Sequence, residues 1–114
     1  NRVIDFFGPR GKIFYVHFRD VQGVVPRFQE SFLGEGNYDP AAVLRRLART
    51  GFDGFIIDDH VPAIVGDEDT WADTATAAYC SRGRAHAIGY LQGLLNGLHS
   101  SSDPNPDGES QLPI

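Results

Sequence analysis

Two short runs of branched and aromatic residues, KIFYVHF at 12–18 and FDGFIID at 52–58, flank a single well-punctuated helical segment, and this order constrains the fold more than any other feature. Near-continuous apolar runs of this length are the pattern of parallel strands buried on both faces. Between them, YDPAAVLRRLARTG (38–51) reads as a helix. Asp39 stands at the cap, Pro40 at the first helical position, Val43, Leu44 and Leu47 fall on one side, and Gly51 ends it. A long loop is expected between the first strand and this helix. SRGRAHAIGYLQGLLNGL (81–98) predicts a second helix, with Ile88, Leu91, Leu94, Leu95 and Leu98 as its apolar stripe. Gly89, Gly93 and Gly97 recur every four residues there and predict close packing of helix on sheet. RVIDFF, closed by Gly8 and Pro9, reads as the last turn of a preceding helix. Strand, helix, strand, helix implies an α/β fold with parallel strands joined by a crossover.

The rest of the composition narrows the function classes. With 114 residues, 41% of them apolar, the chain suits one modest domain. A net charge of −5 and no dense Lys/Arg cluster exclude nucleic acid and acidic membrane surfaces as expected partners. The apolar runs are too short to span a bilayer, and NRVIDFFGPRG lacks the build of a secretory leader. A soluble, cytoplasmic chain is expected, and the lone Cys80 fits a reducing compartment. HSSSDPNPDGESQLPI (99–114) has too few apolar side chains to order itself and is expected to be a disordered tail behind a folded unit at 1–98.

Parallel strands end on one side, where α/β folds carry their ligand sites. Here those ends read VHFRD and IDDHVP. Side chains alternate between faces, so Ile13, Tyr15, His17 and Arg19 share one face of the first strand, and Phe55, Ile57 and Asp59 one face of the second. Neighbouring strands lie about 4.8 Å apart, which makes His17 and Asp59 candidate neighbours. An imidazole and a carboxylate converging there suit half of a divalent cation site. A plain His–Asp hydrogen bond finishing two strands suits the spacing as well. His86 and His99 read as structural, and Cys80 as an ordinary small residue. Asp58 is expected to tolerate Asn with little effect.

The stretches GKIFYVHFRDV (11–21), FQESFLGEGNYD (28–39), DGFIIDDHVP (53–62) and AYCSRGRAHAIGYLQGLL (78–95), in this order, resemble the C-terminal part of the mannonate dehydratase family. The resemblance runs from residue 1 to about 98. It implies a (β/α)8 TIM barrel of the xylose-isomerase-like kind, of which this chain would be the C-terminal βαβα portion, incomplete as a single chain. It implies a hydro-lyase that dehydrates D-mannonate to 2-keto-3-deoxy-D-gluconate with a divalent metal, Mn²⁺ or Fe²⁺. By the same resemblance His17 and Asp59 are metal ligands, and His60 and Tyr79 are the catalytic acid/base pair in either order. DEDTWADTATA lies before Tyr79 as an apparent insertion. Arg19 could hold the substrate carboxylate in a fork, or form a salt bridge with a loop acid such as Glu30. The family's metal-binding Cys and a further His ligand lie upstream and have no counterpart here. A barrel needs roughly 250 residues and eight strands, so the fragment is expected to be inactive alone and to form a homo-oligomer or pair with a complementing N-terminal barrel chain. The alternatives are a non-catalytic oligomerising or complementing fragment, or a sugar isomerase or epimerase on the same barrel.

Overall fold

The computed structural model describes residues 2–67 and 80–100. A helix, α1 (Arg2–Phe7), runs into a 3-10 turn at Gly8–Arg10, which Gly11 closes in the left-handed region at φ 61°. Next come β1 (Tyr15–Phe18), β2 (Asp20–Val24), β3 (Arg27–Ser31), α2 (Pro40–Arg49), β4 (Phe55–Asp58) and α3 (Ser81–Ser100).

β1 and β4 pair in parallel, Tyr15 opposite Phe55 and Phe18 opposite Asp58, and the Asp59 N–H adds a further bond to the Phe18 carbonyl at 2.9 Å. α2 lies between the two strands in sequence and packs on α3 and α1. Its N-terminus forms as the sequence predicts: Asp39 accepts hydrogen bonds from the Ala41 and Ala42 N–H groups, and Pro40 begins the helix. At its other end Gly51 takes φ 73°. Leu44 and Leu47 from α2, Phe18 from β1, Leu33, Val61, and Ala87 and Leu91 from α3 form the buried core. Val16 and Ile56, on the Phe18 side of the strands, pack at its margin.

Several expectations need correction. The strands are shorter than the apolar runs, because regular pairing begins only at Tyr15 and Phe55. The expected long loop contains an antiparallel hairpin, β2 with β3, in which Asp20 faces Ser31 and Val24 faces Arg27. Nor are the parallel strands covered on both faces. Tyr15, Phe55 and Ile57 are exposed on the side away from the helices, Phe55 by 79%. On α3, Leu91, Leu94, Leu95 and Leu98 lie on the covered side as expected, joined by Gly83 and Ala87, but Ile88 is exposed. A Cβ placed on Gly89, Gly93 or Gly97 would meet nothing within 4 Å, so this glycine row does not press on the sheet.

The hairpin is anchored by one carboxylate. Asp20, 1% exposed, accepts hydrogen bonds from the N–H groups of Val21, Gly34, Gly36 and Asn37. Gly36 is required there, since a Cβ would lie 2.1 Å from Asp20 Oδ1. Burial, reinforced by the charges of Asp20 and Tyr90, pushes the neighbouring Tyr38 hydroxyl well above its ordinary pKa.

Candidate functional site

The carboxyl ends of β1 and β4 place the predicted groups together. His17 is the third residue of β1 and lies on the open face beside Tyr15, their rings 4.8 Å apart. Asp59 follows β4 directly and shares that face, as the alternation requires. Its Oδ1 stands 3.8 Å from His17 Nδ1. Because β4 ends at Asp58, His60 is released from strand geometry and turns to the same side. Its Nε2 lies 3.9 Å from Asp59 Oδ1 and its Nδ1 3.7 Å from Glu30 Oε1.

Glu30 reaches this cluster from β3. It also receives a two-pronged contact from Arg19, whose Nε donates to Oε2 at 3.0 Å while Nη2 donates to Oε1. The salt bridge weighed for Arg19 is therefore formed, and Glu30 links Arg19 to His60. Tyr79 lies outside the described residues, as do residues 101–114 of the expected tail. His86, on α3, sets its ring at a tilt against Phe32, centroids 4.9 Å apart, and Cys80 is buried just before α3.

Beneath the cluster, the other parity of β4 carries a different carboxylate. Asp58 is buried and takes hydrogen bonds from Arg84 Nε and Nη2 at 2.7 and 3.0 Å. Asp58 is thus a tie between strand and helix, and the expected tolerance of Asn there is withdrawn: an amide would place a donor against a guanidinium that can only donate. Further along, Asp67 is fully buried and caps the start of α3 through the Arg82 and Gly83 N–H groups at 2.8 and 3.1 Å, with Ile64 N–H at 3.0 Å. Burial alone would raise its pKa; these N–H donors and the Arg82 charge outweigh it, and the net shift is downward.

An imidazole nitrogen and a carboxylate oxygen are suitable donors for a divalent cation. Donors 2.0–2.2 Å from one cation stand roughly 3 to 3.5 Å apart, so a 3.8 Å separation needs closure by only a few tenths of an ångström. The fit is that of a half-site. Among the described residues no group of three or more His, Cys, Asp or Glu side chains is arranged to hold a metal. Among the same residues no helix is long and apolar enough to cross a membrane. Across known families, the profile of D-mannonate dehydratase (UxuA) matches residues 1–104.

Proposed function

The chain belongs to the D-mannonate dehydratase family, and from this we propose that it supplies the C-terminal βαβα portion of a (β/α)8 barrel, with part of the metal site and the proton-transfer groups. The reaction is dehydration of D-mannonate to 2-keto-3-deoxy-D-gluconate. The observation that carries the reading is the convergence of His17, Asp59 and His60 at the shared carboxyl end of two parallel strands. In this reading residues 1–98 are the barrel portion and 99–114 a tail.

His17 and Asp59 would hold the divalent metal, Mn²⁺ or Fe²⁺, with further ligands from the rest of the barrel. When bound, that cation supplies positive charge against the negative charge that develops as the C2 proton leaves a substrate already bearing a carboxylate. His60 removes that proton, and Tyr79 protonates the departing C3 hydroxyl; exchanged roles suit the same positions. Glu30 and Asp59, either side of the His60 ring, restrict its orientation. Arg19 binds the sugar-acid carboxylate alongside Glu30.

The exposed face carrying Tyr15, Phe55 and Ile57 supports a companion reading, in which the isolated chain is inactive and is completed by other barrel strands or by self-association. The test is made in an assembled enzyme containing this chain. Asp59→Ala loses metal and activity together, whereas His60→Ala keeps metal while kcat falls by roughly 10²–10⁴-fold. Elemental analysis beside kcat reads both. Metal lost from His60→Ala and retained in Asp59→Ala would reverse the two assignments.

A further inference from the structure

The first turn of α3 grips the loop that follows β4 at three separate points. Arg84 holds the buried Asp58 carboxylate through two hydrogen bonds. Gly83 approaches the loop so closely that a Cβ would stand 2.3 Å from the Pro62 carbonyl oxygen and 3.0 Å from Val61 Cγ2. Asp67, nine residues beyond Asp58, accepts from the Arg82 and Gly83 N–H groups. Asp59 and His60 lie inside the gripped span.

We propose that this turn of α3, acting through Asp58, Pro62 and Asp67, sets the direction in which Asp59 and His60 project, so that Arg84 and Gly83 are positioning residues for the site. The proposal rests on reading His17, Asp59 and His60 as that site. Neighbouring side chains on an extended chain point to opposite faces, so tying Asp58 to the helix layer fixes the rotation of the strand end about its own axis. Asp59 must then face His17. Without Arg84 the buried Asp58 carboxylate loses its counter-charge and is driven to turn towards water, since an unpaired buried charge is strongly disfavoured. That turn would carry Asp59 away from His17 and weaken its N–H bond to the Phe18 carbonyl. Beside its N–H bond to Asp67, Gly83 acts by shape, because a side chain there would push the Pro62 carbonyl, and the loop with it, away from the helix.

The two residues can therefore be tested by chemically unrelated changes, Arg84→Gln and Gly83→Ala, in the 114-residue chain. Hydrogen exchange read by mass spectrometry compares a peptide covering 55–64 with controls covering 20–31 and 40–49. Both variants are expected to speed exchange in 55–64 by roughly tenfold or more while the controls keep the parent's rates. Arg84→Lys, which keeps the charge but not the fork, should recover part of the protection. Mn²⁺ then serves as the probe of the site itself: its paramagnetic broadening of the His17 and His60 ring signals should weaken in both variants. Unchanged exchange at 55–64 in both variants overturns the proposal, and so does acceleration spread equally over the controls, which marks a general loss of stability. If the parent's His17 and His60 signals ignore Mn²⁺, the metal reading fails, and the exchange comparison still decides the positioning role.

Discussion

Replacing Asp20 by Asn changes one atom of a side chain that organises the entire hairpin base. Asp20 Oδ1 accepts from Val21 and Asn37, at 2.9 Å each, and Oδ2 from Gly34 and Gly36, at 3.0 Å each. A carboxylate can serve all four donors; an amide accepts on one side only and points its own N–H groups at the other. Two hydrogen bonds are lost and two donors are left facing a donor. At about 1–3 kcal/mol for each orphaned buried donor the sum is roughly 2–6 kcal/mol, and access of water to the half-open loop brings the expectation to about 2–4 kcal/mol. Against a typical total of about 5–15 kcal/mol this is a large share. Urea unfolding followed by circular dichroism at matched protein concentration measures it. With a slope of about 1–1.5 kcal/mol/M the midpoint should fall by roughly 2 M. Asp39→Asn is the control, because asparagine caps a helix about as well as aspartate and should leave the midpoint within about 0.5 M. A shift in Asp20→Asn no larger than in the control, at equal slope, would refute the reasoning and show that the Gly34–Asn37 loop holds itself.

Tyr38 keeps its proton in the folded chain above its ordinary pKa of 10.0, whereas the unfolded chain releases it there, so stability falls as pH rises past that value; Tyr38→Phe should flatten this alkaline loss in urea midpoints taken across pH 9 to about 11. Asp67 shifts the other way. Its folded carboxyl titrates below the unfolded one, so its contribution is present above about pH 4 and disappears as pH falls through the folded value; Asp67→Asn should show a shallower acid limb in the same assay. With Tyr15, Phe55 and Ile57 open to solvent, the isolated chain should self-associate in sedimentation velocity, and a concentration-independent monomer would count against the companion reading. In the same preparation D-mannonate and Mn²⁺ should give no measurable dehydration, and turnover near that of a complete enzyme would remove the claim of inactivity.

What the sequence disclosed depended on whether a signal was local. The Asp39-Pro40 start and Gly51 stop of α2 are set by neighbours a few residues away and formed as expected. The approach of His17 to Asp59 also followed, because strand parity and parallel pairing are nearly sufficient to produce it. The hairpin went unread because DVQGV and RFQES have weak alternation, and what stabilises them is the Asp20 carboxylate reaching backbone groups as far away as Asn37. A density of Gly, Asn and acid in LGEGN was the available hint. Asp58 looked like one more strand-end charge. Its burial depends on Arg84, which lies across the sheet–helix interface, and no periodicity links the two. On α3, hydrophobicity alone assigned Ile88 to the core, whereas the close approach at Gly83 turns the small Ala87 inward with the expected Leu91 and leaves Ile88 outside.

The register of the parallel pair also bears on the order in which the chain acquires structure. Tyr15 and Phe55 are partners about 40 residues apart, whereas the hairpin ladder and the two long helices close over short stretches of chain. Such local elements form in roughly microseconds. During synthesis at about 5–20 residues per second, β4 leaves the ribosome some 2–8 seconds after β1. For that interval β1 lacks β4 as its partner, and Val16 and Phe18 lack the Ile56 and Asp58 positions opposite them. The strand that carries His17 is then the stretch most open to mispairing with another nascent copy, and a chaperone acting on this chain would have its substrate there.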